Sequence, residues 1–474
     1  MSIDVDLSPY PPSRGWALRE IPGARRLPIL VLLAAIAAGC ASVPQDAGFS
    51  DVKSAVAERT GQRVHWNQGS QNDAAVQAAV RAMLKHALTA DEAAQIALLN
   101  NRRLQAIYED LSLTQANLVQ AGLLSNPVFN AAIGFPVSSG ALDLNFSIVQ
   151  DFLSILYRPL RKAIARAEFE GAKQRVTEAV IELAAQVRSQ FYHVQADHQR
   201  LEFLQRVVTA TAASAEAARR LHEAGNITDL DLSREQALHQ ESRLALATAQ
   251  TRLVQDRERL NALMGVWGED TRWNVTPRLP EIPPKLPTGT DLEQRAIKAS
   301  LVLGATRKKI EAAAGQLGFA DATALIPSLE PGVDSQRDEG EWDVGPSLTV
   351  SIPFFNQGQA RLAVARAQLR RARQTYWAEA VEIRAVVRTL RQTTLSARSR
   401  ALYVQGVLLP LYTRIVNRTQ LQYNAMQIGL FQLLLAKQRQ IDAGLRYIDT
   451  LRDYWLARTA LAQTLSGGLA KVET

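Results

Sequence analysis

Seven side chains are the first candidates for chemistry: a single cysteine, Cys40, and six histidines, His65, His86, His193, His198, His222 and His239. Metal binding or nucleophilic catalysis needs two or three such groups converging at fixed spacing. His193 and His198 lie five residues apart, so one helix does not turn both toward the same face. No HExxH, GxGxxG, P-loop or CxxC string occurs. The histidines read as packed or solvated side chains; no metal site, no cofactor and no enzymatic activity are expected. One cysteine excludes an intrachain disulfide.

Cys40 has telling surroundings. Arg14, Arg19, Arg25 and Arg26 precede the apolar run "LPILVLLAAIAA", and "GC" follows. A basic flank, a short apolar core and small residues before a break describe a signal peptide, and the run is too short to span a bilayer comfortably. The stretch "AAGC" resembles the bacterial lipobox, whose cysteine is acylated and becomes the first mature residue. Ala37 stands where such sequences usually have Leu. Ala41 follows the cysteine, and the absence of Asp there resembles lipoproteins sorted to the outer membrane. Export also argues against nucleic acid as the partner that the net charge of +8 accommodates.

The elements that would carry the rest are mostly helical. Residues 40–72 are polar and mixed and read as a tether and extended segment. A helical pattern runs from about Asp91 to Gly122. A longer one starts near Arg158 and reaches about Ala224, with Val176, Val180, Leu183, Val187, Phe191 and Val194 in a heptad-like seam. Some sixty residues of helix reach on the order of 90 Å. Gly225 suits a left-handed helix end, Thr228 or Asp229 suits the next cap, and a second long helix runs from about Leu230 to Met264. A Pro-rich connector follows, in which Trp267 and Trp273 are expected to pack a side domain. The layout then repeats about two hundred residues on: Leu104 aligns with Leu303, Pro127 with Pro327, and "AGNITDLDL" with "AMQIGLFQL". Pro410 should kink the second long run or mark a junction. The expected segments are a signal peptide (1–39), a lipid-anchored segment (40–88), a first repeat (89–264), the connector (265–289), a second repeat (290–468) and a tail (469–474).

Each repeat also carries two short strands. "LDLNFSIV" alternates Leu142, Leu144, Phe146 and Ile148 with Asp143, Asn145 and Ser147, and "SLTVSIPF" alternates Leu348, Val350, Ile352 and Phe354 with polar residues. "VFNAAIGF" alternates cleanly and "SLEPGVDS" less so. About ten residues suffice to cross a bilayer at a tilt. An open sheet edge in lipid leaves backbone groups unpaired at several kcal/mol each, so about four strands cannot stand alone there. Copies around a cyclic axis must close the cylinder; two copies or three are compatible with the pattern.

The phrases "NNRRLQAIYEDLSLTQANLVQAG" with "SNPVF", "SIPFFNQGQARLAVARAQL" and "AGNITDLDLSREQ", together with the duplication, resemble the TolC-like outer-membrane efflux factors over Thr89 to Gly468. The resemblance implies a mostly α fold with a small β share. Long antiparallel helices would form a periplasmic α-barrel, and four strands per chain would complete a 12-stranded β-barrel in a homotrimer. It implies a Gram-negative outer-membrane location with a lipid anchor. The partners it implies are a periplasmic adaptor, an inner-membrane pump of the proton-driven RND type, and membrane lipid. The function would be an efflux duct for drugs or metal ions. A type I protein-secretion duct and a periplasmic coiled-coil scaffold are the alternatives. By the same resemblance the adaptor would dock at the helical tips, Ala224, Gly225, Asn226, Ile227 and Thr228 in the first turn and Ala425, Met426, Gln427, Ile428 and Gly429 in the second. A gate would lie beside the second tip among Asn417, Arg418, Gln420, Tyr423 and Asn424, where no carboxylate occurs. Arg418 and Tyr423 are expected to hold it closed by hydrogen bonding. Basic clusters after the strand pairs (Arg158, Arg161, Lys162 and Arg166; Arg361, Arg366, Arg370, Arg371 and Arg373) read as solvated or intersubunit salt-bridging faces.

Overall fold

The computed structural model describes residues 43–135, 142–276, 278–284, 291–338 and 341–471. The expected signal peptide and Cys40 lie outside the described residues, as do parts of the connector and of the tail. From Pro44 onward the chain folds as one unit.

Two long helical hairpins dominate it. Helices α1 (Phe49–Thr60), α2 (Gln71–Met83), α3 (Ala90–Asn100) and α4 (Arg102–Gly122) come first, with a two-residue strand β1 (Ala87–Leu88) between α2 and α3. Strands β2 (Val128–Gly134) and β3 (Asp143–Val149) follow, then a short α5 (Phe152–Leu156). Helix α6 runs unbroken from Arg158 to Glu223 and returns as α7 (Asp229–Met264). After β4 (Asn274–Val275) come α8 (Leu292–Ala299), α9 (Leu301–Leu325), β5 (Leu329–Asp338) and β6 (Glu341–Val350). The second hairpin consists of α10 (Gln359–Tyr403), a π-helical turn Val404–Leu408, α11 (Leu409–Asn424) and α12 (Leu430–Leu465).

The duplication extends to single hydrogen bonds. Asn101 separates α3 from α4 and caps α4 by accepting from the Leu104 N–H at 2.9 Å; Ser300 does the same for Leu303 at 3.2 Å. The helix pattern expected to continue from Asp91 to Gly122 therefore breaks at Asn101, where an exposed N–H is better satisfied by a side chain. Each long hairpin ends against the equivalent joint. The Asn100 amide donates to the Met264 and Gly265 carbonyls, and the Leu301 N–H donates to Gly467 O at 2.9 Å. Helices α7 and α12 both have 36 residues.

Most of the seam residues on α6 are buried as their spacing predicts: Val176, Val180, Val187, Phe191 and Val194, with Leu183 half-buried beside them. The α6–α7 interface also buries two carboxylates. Arg252 Nε lies 3.2 Å from Asp197 Oδ1 and 3.8 Å from Asp256 Oδ2, and Gln190 donates to Asp256 Oδ1 at 3.1 Å. Burial and the adjacent Asp256 carboxyl push Asp197 up to about 7.

Two expectations are corrected. Residues 40–72 are not wholly an extended tether. Residues 49–60 form α1, whose Val52 and Val56 face the main core, and Phe49 packs edge-on against Tyr108 at 4.9 Å. Two valines four residues apart make only a brief helical signal inside a polar stretch. Arg59 then donates to Ala299 O at 2.7 Å and Ser466 O at 2.9 Å, tying α1 to the ends of α8 and α12. The connector tryptophans also part company. Trp273 is buried, donates to Asn261 Oδ1 at 2.7 Å and carries the Arg257 guanidinium 4.0 Å over its ring, whereas Trp267 is 83% exposed. β4 pairs in parallel with β1, Leu88 opposite Val275, and fixes the connector to the end of the N-terminal segment, just ahead of the first repeat.

The π-turn sits just ahead of Pro410. A proline has no N–H to offer the preceding turn, and widening that turn rearranges the helix there without ending it.

Candidate channel wall, tips and gate

The four long strands form one antiparallel sheet in the order β2-β3-β5-β6. Its register sorts the side chains. Phe129 pairs with Ile148, Ile148 with Val333, Val333 with Pro346, and Leu329 with Val350, so these residues share one face. That face also carries Phe146, which stacks on Phe129 and on Trp342 with 6.1 Å between centroids in both cases. Among the described residues nothing covers most of it: Phe129, Ile133, Ile148, Val333, Trp342, Val344 and Leu348 are all more than half exposed. The opposite face holds Asn130, Asn145 and Ser147, and with them Asp143, Glu330, Asp334, Glu341 and Asp343. Among the described residues no Lys or Arg lies on that polar face. β2 and β6 are sheet edges with one strand partner each. Among the described residues no helix is long and apolar enough to cross a membrane.

The two turns between long helices have one geometry. In the first, the Gly225 N–H donates to His222 O and the Asn226 N–H to Leu221 O, both at 2.8 Å. In the second, the Met426 N–H donates to Tyr423 O and the Gln427 N–H to Gln422 O, both at 2.9 Å. This is the Schellman arrangement, and its left-handed residue is Gly225 in one turn and Met426 in the other. Gly429 is not the counterpart of Gly225: its φ is −81° and it stands at the N-cap of α12. Thr228 holds the equivalent place in the first turn and accepts from the Asp231 N–H at 3.1 Å. Ala224, Asn226, Ala425 and Gln427 are exposed and Ile227 and Ile428 half-exposed, so every expected tip residue has surface available.

The expected gate residues lie together on the last turns of α11. This helix buries none of its residues within the chain. Asn417 and Arg418 line a shallow cavity of about 560 Å³ with Gln405, Pro410, Thr413 and Arg414. Gln420 donates to Asn424 Oδ1 at 2.9 Å. Arg418 and Tyr423 make no hydrogen bond with each other in the chain; they are five residues apart on one helix and point away from one another. The basic residues Arg158, Lys162, Arg166, Arg361, Arg366, Arg370, Arg371 and Arg373 are exposed, and among the described residues none has a carboxylate partner within ion-pair distance. Arg161 instead donates to Ser154 O at 2.9 Å.

The histidines are scattered. His65 Nε2 meets Asp73 Oδ1 at 2.6 Å, His222 Nδ1 meets Ile227 O at 3.2 Å, and His239 Nδ1 meets Thr211 Oγ1 at 3.2 Å. Among the described residues no group of three or more His, Cys, Asp or Glu is placed to hold a metal ion.

Residues 93–266 match the outer membrane efflux protein family. The whole arrangement also has solved counterparts. The channel CusC superposes with a TM-score of 0.67 at 16% identity, covering 80% of this chain and 92% of that one. This is the outer-membrane efflux channel fold. The Campylobacter jejuni CmeC outer membrane channel shares it at a TM-score of 0.65 and 15% identity, over 81% of this chain and 87% of that one. The open Neisseria gonorrhoeae MtrE channel does so at 0.62 and 16%, over 80% and 89%. A cobalt-zinc-cadmium resistance protein of Cupriavidus metallidurans, CzcC, is 24% identical over 389 residues, covering 80% of this chain and 90% of that relative. The efflux-channel fold accounts for both the helical hairpins and the isolated sheet.

Proposed function

We propose that the chain is the outer-membrane exit duct of a tripartite efflux assembly and that three copies close a 12-stranded barrel. The observation that carries this reading is the sheet: one uncovered face that is apolar but for Ser335 and Arg337, one polar face and two edges without a strand partner among the described residues. Lipid suits the first, water the second, and a neighbouring copy the third, because unpaired edge groups are costly in hydrocarbon. Twelve strands leave room for a water-filled lumen.

The cargo we assign is small cations, divalent metals among them. With the apolar face outward, Asp143, Glu330, Asp334, Glu341 and Asp343 turn inward with no basic residue among them, and a wall of one sign concentrates counter-ions. The name of the Cupriavidus relative agrees with this choice. Such a duct needs walls and a gate and no reacting group, so it is not an enzyme. Its tips, around Gly225 and Met426, would meet a periplasmic adaptor that links it to a proton-driven inner-membrane pump, and Cys40 would carry the lipid anchor.

Planar-bilayer recording of the purified protein tests both parts. The trimer should conduct and prefer K⁺ to Cl⁻. The variant Glu330→Gln, Asp334→Asn, Glu341→Gln, Asp343→Asn should lower that preference by about tenfold, since the inner charge is most of the selective field. A protein that stays monodisperse as a single subunit without detergent would overturn the reading.

A further inference from the structure

The structure holds one buried carboxylate for which neither wall, tip nor packing seam accounts. Glu235 lies on α7, within two turns of the first tip, and is 1% exposed. Among the described residues neither of its carboxylate oxygens has a hydrogen-bond partner. At this level the first hairpin meets the second: Arg234, its neighbour, sits 4.8 Å over the Phe431 ring of α12, and α12 buries Leu433, Leu434 and Ala436 on the same stretch. The groups facing Glu235 are few. From α6 there is the Ser214 hydroxyl and from α12 the Lys437 ammonium. On α7 itself, Asp231 one turn earlier is engaged with Thr228, and His239 one turn later meets Thr211 instead.

We propose that Glu235 makes the seam between the two hairpins of each subunit responsive to proton concentration: protonated, it packs the hairpins together near the tips; ionised, it drives α7 and α12 apart. An ionised carboxylate taken out of water without hydrogen bonds is costly, and one half-buried ammonium offsets only part of that cost. A neutral carboxyl in the same place needs only the Ser214 hydroxyl. Burial accordingly raises the Glu235 pKa. Separation of the hairpins would return the side chain to water and to its ordinary acidity. Packing is thus linked to proton uptake, separation to proton release, and rising pH favours separation. Any effect of this movement on conductance rests on the channel reading above; the movement of the seam does not.

The test uses the full chain in detergent, with Cys40→Ser and spin labels on cysteines introduced at the exposed positions Ala237 and Gln438. Raising the pH from about 5 to about 8 should increase the long-distance population by about threefold. Glu235→Gln should keep the short distance at both pH values, and Lys437→Met should move the midpoint to higher pH. A wild-type distribution that does not change with pH, or a Glu235→Gln protein that still follows the wild type, overturns the proposal. Conductance recorded in parallel separates the two readings. A pH-driven distance change in a protein that never conducts leaves the seam standing and removes the channel.

Discussion

Gly225 and Met426 occupy the same position in two copies of one turn, with φ of 77° and 56° and matching hydrogen bonds. Only the first is a glycine. An L-residue in the left-handed region costs about 1 kcal/mol, and Met426 pays that cost with a side chain that is 94% exposed. Met426→Gly should therefore stabilise the second tip. Amide exchange at Gln427, whose N–H donates to Gln422 O, should slow by about fivefold, the factor that 1 kcal/mol of local stability gives. Gly225→Ala should speed exchange in the first tip by a similar factor. The Cβ added there would meet nothing within 4 Å, so the change reports backbone strain alone.

The duplicated caps differ in what else they do, and this gives a second test. Ser300→Ala removes one capping bond and should cost about 1 kcal/mol. Asn101→Ala should cost more, about 2–3 kcal/mol. The buried Asn101 amide also donates to Leu263 O at 2.8 Å, and removing it leaves that carbonyl unpaired. Thermal melts of the two variants in detergent should rank in that order; equal shifts would contradict it.

The connector tryptophans should separate even more widely. Trp273→Ala deletes a buried ring and its bond to Asn261 and should cost about 3–5 kcal/mol. Trp267→Ala removes an exposed ring and should stay within about 0.5 kcal/mol. Emission spectra give an independent check, because loss of Trp267 should remove a red-shifted component and loss of Trp273 a blue-shifted one.

Asp197 predicts a dependence on pH. Its folded pKa is raised to about 7, above the unfolded value, so the folded chain holds a proton that the unfolded chain releases. The stability this provides is complete at low pH and is lost as pH rises from the ordinary aspartate range to about 7. Asp197→Asn removes the titration. It should match the wild type near pH 4 and exceed it by up to about 4 kcal/mol near pH 8. Melting temperature against pH for both proteins reads this directly.

What was legible in the sequence follows from how far each signal extends. The α6 seam repeats over many turns, so Val176 through Val194 declared their common face, and strict alternation from Leu142 to Ile148 declared a strand with unlike sides. Short or solitary signals failed. Val52 and Val56 are one pair in a polar stretch, and burial of Trp273 but not Trp267 depends on Asn261 and Arg257, which approach from a helix rather than from the neighbouring sequence. Glu235 was invisible for the same reason. In "DLSREQALHQ" it reads as one more solvated charge, and only the packing of α6 and α12 around it takes it out of water. The polarity of the sheet needed the register as well, since Glu341 and Asp343 join Asp143 and Asp334 on one side only once the strands are paired.

Helices α7 and α12, equal in length, rise from equivalent joints. Both loops of a subunit should therefore end level, like prongs cut to one gauge. Whatever grips one prong finds its near-twin beside it at the same height, and a ring of three such chains would present a crown of six.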